Sequence, residues 1–275
     1  MSGTFFESSL PNIIELRNIK QTYDGKKYIF DGCDFVVPDK PNQGQFVALM
    51  GASGCGKSTL LRYICNLQQP TEGRVLVNGK PVGDEGERVS MVFQNYSSLP
   101  WFTVLENVAL PLKYKGIGKK EREEKAMEII KLVGLDGHQN KFAKMPGLSG
   151  GQLQRVAIAR SLIANPNIIV MDEPFGALDI NTRLKMQDML EDIWLKFHST
   201  IVFVTHDITE AVYLGDDVYI MAANPGRIAH TVKVDLPFNR TRESKRTPRF
   251  IELVNEIEDL MNAVSISSAA AEHKE

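Results

Sequence analysis

No stretch of this chain is long and apolar enough to cross a bilayer as a helix: the longest apolar runs are strand-sized, and charges interrupt everything longer. A charge excess of either sign is missing too. Lysine and arginine total 32 against 34 aspartate and glutamate, a formal net charge of −2, so no basic field points to nucleic acid and no nucleic-acid partner is expected. Cysteine is scarce. Cys33, Cys55 and Cys65 are odd in number and not closely paired, which suits a reducing compartment and argues against a disulfide framework. The segment from Met1 to Glu7 lacks a basic region followed by an apolar core, so it is not expected to be a secretory signal and the chain reads as cytosolic. With 275 residues and 43% hydrophobic content, there is material for one large α/β domain or for a core carrying a substantial insertion.

What is present is concentrated in Gly51-Ala52-Ser53-Gly54-Cys55-Gly56-Lys57-Ser58-Thr59, between an apolar run, Phe46 to Met50, and a helical pattern beginning with Leu60, Leu61 and Tyr63. Strand, glycine-rich loop and helix in that order are the context a phosphate-binding loop needs. Glycines let successive backbone N–H groups point inward, and the helix behind them adds its positive dipole end, so a polyphosphate is the expected guest. Lys57 is expected to reach the outer phosphates and Ser58 to offer a hydroxyl to magnesium. Cys55, at a helix N-terminus beside Lys57, is expected to have a depressed pKa and to be open to alkylation; alternatively it is a small residue that fits the loop.

Along the chain, Ile13 to Ile19 and Phe30 to Val37 have strand character, separated by a turn that starts with Tyr23. An aromatic there can stack on a nucleobase or, as a strand-end residue, pack on its own sheet. Arg74 to Val77 leads into the hairpin signal Asn78-Gly79, and Val89 to Phe93 reads as a buried strand ending at Gln94. Leu99 to Phe102 then brings bulky apolar residues to a loop. Lys119 to Val133 reads as a helix stopped by Gly134, and Ser149 as the cap of another that runs through Leu162. This stretch has the texture of a helical insertion.

Ile168 to Met171 is a buried strand ending in Asp172-Glu173. Paired carboxylates at the end of an apolar strand are costly unless a cation meets them, so Asp172 is assigned to magnesium and Glu173 to polarising a water aimed at the γ-phosphate. A polar helix, Thr182 to Phe197, precedes a last continuous apolar strand, Thr200 to Val204, which ends near His206, a candidate phosphate contact or a structural histidine. Val218 to Ala222 and Ile228 to Val234 read as closing strands. Phe250, Leu253, Val254, Ile257, Leu260 and Met261 recur at helical spacing, able to cover the core or meet a second copy, and Ser265 to Glu275 is expected to be disordered.

Taken together, the phosphate loop, Gln94, Leu148-Ser149-Gly150-Gly151-Gln152, Asp172-Glu173, Gly176-Ala177-Leu178-Asp179 and His206 resemble the ATP-binding subunits of ABC transporters, specifically the separate-chain ATPases of bacterial nitrate, sulfonate and taurine type importers. The resemblance implies an α/β fold: a P-loop NTPase core with an N-terminal antiparallel β subdomain and a helical subdomain inserted at about 95–165, all within 1–237, followed by an extension over 238–275. It implies ATP and Mg2+ as cofactors. Gly51, Ser53, Gly54, Cys55, Gly56, Lys57, Ser58 and Thr59 would cradle the phosphates, and Tyr23 would stack on adenine. Ser58, Gln94 and Asp172 would hold the metal. Lys57, Gln94, Glu173 and His206 would carry the chemistry. Ser149, Gly150, Gly151 and Gln152 would close over the nucleotide of a second nucleotide-binding subunit, with Asp179 at that seam. The resemblance also implies a transmembrane permease docked near Leu99 to Phe102, an indirect partner in a substrate-binding protein, and a place on the inner face of the bacterial cell membrane. A P-loop kinase would explain Lys57 and Asp172 but not the Ser149 stretch; a non-transport ATPase of the same type remains the alternative.

Overall fold

The computed structural model describes residues 12–40, 44–83 and 89–272. The segment Met1 to Glu7 lies outside the described residues. Two sheets form the frame. Strands β1 (Asn12–Thr22), β2 (Tyr28–Pro38), β4 (Glu72–Val77) and β5 (Lys80–Pro81) make an antiparallel sheet in the order β2-β1-β4-β5. The other sheet contains β3 (Gln45–Gly51), β6 (Ser90–Val92), β7 (Ile168–Asp172), β8 (Thr200–Val204), β9 (Asp217–Ala222) and β10 (Arg227–Lys233), ordered β10-β9-β3-β8-β7-β6. Five of its strands are parallel, and β10 closes one edge antiparallel to β9.

The parallel strands read as unbroken apolar runs because both faces of this sheet are covered. Successive side chains point to opposite faces. Phe46, Ala48 and Met50 of β3 join a core with Ile169, Met171, Ile201 and Phe203, whereas Val47 and Leu49 join a second core with Val170, Val202 and the inward residues of the antiparallel sheet. Helix α1 (Lys57–Ile64) packs in the second core through Leu60, Leu61 and Tyr63.

The first core also takes in the helical insertion, α2 (Val104–Tyr114), α3 (Lys119–Leu132) and α4 (Gly150–Leu162). Thr103 starts α2 with a capping box to Glu106, and Gly134, at φ 67, follows the end of α3 as its position predicts. The loop before α2 is only partly exposed. Pro100 and Trp101 are exposed, but Leu99 and Phe102 are half-buried. The fully buried Asn107 holds that loop: its Oδ1 accepts from Leu99 N at 2.8 Å and its Nδ2 donates to Leu99 O and Phe102 O.

Helix α5 (Ile180–Phe197), helix α6 (Ile208–Leu214), a short 3-10 turn at Arg242–Arg246 and helix α7 (Pro248–Glu272) complete the chain. Helix α7 starts on proline, which has no N–H to lose there, and Thr247 Oγ1 accepts from Phe250 N. Phe250, Leu253, Ile257 and Val264 are buried in the first core, so this helix covers the core. Two boundaries differ from the sequence reading. Strand β6 is shorter than Val89 to Phe93, since it is an edge strand paired only with β7. The segment from Ser265 was expected to be disordered, yet α7 continues to Glu272: buried Val264 anchors that turn and Ser268 Oγ accepts from Ala223 N at 3.4 Å. The last three residues lie outside the described ones.

Candidate functional site

The glycine-rich loop joins the C-terminal end of β3 to α1. Gly56 sits at φ 101, and a Cβ there would run into the Phe30 ring, so only glycine fits. Ser53 and Gly54 are exposed, Thr59 half-buried in the first turn of α1. Lys57 is 6% exposed and lies along the loop, its Nζ donating to Gly51 O and Ala52 O, both at 2.9 Å. Ser58 Oγ donates to Asp172 Oδ1 at 3.1 Å, joining the loop to the end of β7. Burial pushes the Asp172 carboxyl up, and the Ser58 bond partly opposes this.

Three neighbouring strand ends converge on Glu173. Its Oε1 lies 2.8 Å from His206 Nε2, beyond β8, and its Oε2 accepts from Gln94 Nε2 at 2.8 Å, beyond β6. Glu173 itself adopts φ 45, a left-handed backbone uncommon outside glycine, which turns the chain sharply at the strand end. Both carboxylate oxygens are thereby aimed by partners 79 and 33 residues distant in sequence, although nothing local in the sequence pairs them.

Ser149 caps α4 as predicted: its Oγ accepts from Gln152 N at 3.3 Å, and Gln152 Oε1 accepts from Ser149 N at 2.9 Å. Gly150 lets Tyr96 Oη approach the start of α4, into the space a Cβ would take. Gly151 is buried in the same turn. Asp179 caps α5 by accepting from Thr182 N at 3.0 Å, and its bonds with Thr182 hold its carboxyl below the usual carboxylate range. Tyr23 is 70% exposed, with its Oη accepting from Gln68 Nε2 at 3.0 Å. Thus the structure joins Ser58 to Asp172, and Gln94 and His206 to the adjacent Glu173, while Lys57 bonds within the loop. The bonds found for Ser149, Gln152 and Asp179 are local to their own caps, apart from one. That one, Gln152 Nε2 to His138 Nε2 at 3.0 Å, involves a residue the sequence reading missed, and no spacing rule points to it.

Cys55 corrects an expectation. It is 1% exposed, and burial raises its thiol pKa despite the opposing charge of Lys57. Desolvation outweighs the cation and the helix dipole here, so the thiol is neither activated nor accessible.

A phosphate loop between a parallel strand and a helix, with acidic and polar side chains gathered at adjoining strand ends, defines a P-loop nucleotide triphosphatase core. The matching family model, described as ABC transporter, spans residues 40–176. The chain is 51% identical, over 74% of its length and 75% of the other, to an uncharacterized ABC transporter ATP-binding protein of Methanocaldococcus jannaschii. It is 44% identical to the taurine import ATP-binding protein of Rhizobium johnstonii (86% and 92% covered) and 45% identical to the nitrate import ATP-binding protein of Synechocystis sp. (79% and 84%). Among solved structures, a dimeric post-hydrolysis ATP-binding cassette bound to ADP and Pi superposes with a TM-score of 0.69 at 34% identity, covering 82% of this chain and 100% of that one. The chain belongs to the ATP-binding proteins of the ABC transporter family, and it is an ATPase of that type.

Proposed function

We propose that two nucleotide-binding subunits of this kind pair head to tail and hydrolyse ATP between them to drive uptake of a small solute, such as nitrate, a sulfonate or taurine, through a permease. Relatives named for taurine, nitrate and aliphatic sulfonate import support the solute class, and the dimeric cassette supports the pairing. A substrate-binding protein would deliver the solute to the permease from outside, with this subunit peripheral on the cytoplasmic side. No helix among the described residues is long and apolar enough to cross a membrane.

The observation that carries the mechanism is the double hold on Glu173. A carboxylate fixed from both sides, by Gln94 and by His206, keeps its lone pairs in place to take a proton from water attacking the γ-phosphate. His206 would also hold that phosphate. Gly51, Ser53, Gly54, Cys55, Gly56 and Thr59 supply loop backbone for the phosphates, and Lys57 would exchange its two carbonyl partners for phosphate oxygens. Tyr23 offers an exposed ring to adenine. The donor set fits magnesium, which keeps water and substrate phosphates as most of its ligands: Ser58, Gln94 and Asp172 provide a hydroxyl, an amide oxygen and one carboxylate. When bound, the ion would neutralise charge on the phosphates.

The cap of α4 supports the pairing. Ser149, Gly150, Gly151 and Gln152 form a capped helix N-terminus, and an opposing triphosphate would gain its dipole and N–H donors. Asp179 would stand at the seam. The test is ATPase rate per subunit against protein concentration, alone and with the coexpressed permease: a rate that climbs with concentration supports pairing, and one independent of dilution down to dispersed monomer refutes it.

A further inference from the structure

Glu191 and Glu210 are buried carboxylates outside the proposed mechanism, and Glu210 lies near His206 in the chain. Glu210, on α6, is 4% exposed, and both of its oxygens are occupied. Oε1 accepts from Gln187 Nε2 of α5 at 2.9 Å, and Oε2 accepts from the Thr205 hydroxyl. Thr205 immediately precedes His206. Since its single proton goes to Glu210, its oxygen is oriented to accept, and it does so from Asp207 N at 3.1 Å. Asp207 Oδ1 in turn accepts from Glu210 N at 3.1 Å. The residues on either side of His206 are therefore tied to one carboxylate, directly or through one further bond.

The chain of bonds does not stop at α5. Gln187 Oε1 accepts from Lys245 Nζ at 3.0 Å, and that ammonium also lies 4.0 Å from the centre of the Tyr213 ring. Lys245 belongs to the 3-10 turn of the C-terminal extension. The same turn is pinned nearby by Arg242, which donates to Asp188 Oδ2 at 2.9 and 2.6 Å. An amide that accepts from Lys245 through its oxygen must present its NH2 to Glu210, so Lys245 fixes which way round Gln187 sits. Burial pushes the Glu210 carboxyl up, while Thr205 and Gln187 pull it back.

We infer that Glu210 is a positioning residue for His206 and that Lys245 couples the C-terminal extension to it through Gln187. This rests on the proposed role of His206 at the γ-phosphate. If the hold on Thr205 slackens, the imidazole no longer stays 2.8 Å from Glu173, and alignment in the reacting state is lost before nucleotide binding is.

Three variants of the full chain test it: Glu210→Gln, Thr205→Val and, at the far end, Lys245→Met. The measurements are kcat and KM for ATP, together with the His206 ring signal in 1H–13C spectra of the nucleotide-free protein, assigned by its disappearance in His206→Ala. The expected result is a kcat lower by about tenfold in the first two and by about threefold in Lys245→Met, with KM changed less than about twofold and the ring signal displaced in all three. Wild-type kcat together with an undisplaced ring signal in folded Glu210→Gln and Thr205→Val overturns the positioning role. Should both of these fail to fold, Lys245→Met decides alone, and an unchanged signal there overturns the coupling. Full activity in His206→Ala would instead remove the role given to His206, an outcome the ring signal keeps separate from this inference.

Discussion

Replacing Glu173 by glutamine removes one charge and almost no shape, which makes it the sharpest probe of the proposed chemistry. The side chain is held by His206 and Gln94, each at 2.8 Å. An amide satisfies both if its oxygen faces one partner and its NH2 the other: Gln94 can turn its own amide to accept, and a neutral imidazole can present either a donor or an acceptor. The φ of 45 at this position is no worse for Gln than for Glu, so folding stability should change by less than about 1 kcal/mol. What disappears is a base able to take a proton from water. General-base catalysis contributes typically about 10²- to 10⁴-fold, which at about 1.4 kcal/mol per decade is roughly 2.7 to 5.5 kcal/mol of barrier. Phosphate release at saturating ATP should therefore fall by at least about a hundredfold, while calorimetric ATP affinity stays within about threefold. If, as proposed, ATP is held between two subunits, light scattering of the variant with ATP should report a persistent dimer. A folded, pure variant whose kcat stays within tenfold of the parent would show that Glu173 is not the base and that the three-strand convergence serves another purpose.

Cys55 should resist alkylation: iodoacetamide at neutral pH should leave it unmodified in the folded chain, by mass spectrometry, over a time that fully labels the guanidinium-unfolded chain. Labelling at the rate of a free thiol would contradict the burial that raises its pKa. Glu191 is buried against Arg240, and its carboxyl is pushed up to about 7 from 4.5, chiefly by burial. The folded form therefore holds a proton that the unfolded chain releases, so this contribution is full below pH 4.5, declines as pH rises and is gone above 7. Glu191→Gln should flatten that part of the profile, and melting curves that lose as much on going from pH 5 to 8 in the variant as in the parent would rule it out. Trp101, 65% exposed within the Asn107-braced loop, is the residue we propose for contact with a permease. Trp101→Glu should abolish transport in membrane vesicles while leaving nucleotide affinity unchanged, and full transport would remove this docking site.

Those elements were legible whose cause is local. The loop from Gly51 to Thr59, the Ser149 cap, the Asn78-Gly79 turn and the apolar strands each depend on residues within a few positions, and the structure forms all of them. The two-layer cover of the parallel sheet follows from the absence of alternation in Phe46 to Met50 and Ile168 to Met171. What the sequence hides is determined by distant placement. Asn107 bracing the Trp101 loop, His138 on Gln152, and Gln187 on Glu210 each join residues that no periodicity connects. Cys55 misled because its neighbours in sequence, Lys57 and a helix N-terminus, argue for a reactive thiol, while the neighbours that bury it come from elsewhere in the fold. The last turns of α7 were obscured by a run of serine and alanine that looks unstructured, until Val264 and Ser268 find partners on the core.

The segment after β6 shows why nucleotide state and a membrane partner can be connected in this chain at all. Within nine residues it carries Gln94, bonded to Glu173; Tyr96, whose hydroxyl crowds Gly150 at the start of α4; Ser97, which accepts from Arg160 Nη2 at 2.6 Å; and the exposed Trp101. Close-packed contacts of this kind do not stretch; they shift together or break. A displacement of Gln94 that accompanies a change at Glu173 would be taken up by Tyr96 and Ser97, both of which contact α4, or passed on to the Trp101 loop, which Asn107 fastens to α2. Either route would involve the helical insertion. The proposed hydrolytic site, the proposed contact with a partner's nucleotide and the proposed permease surface thus share one short connector.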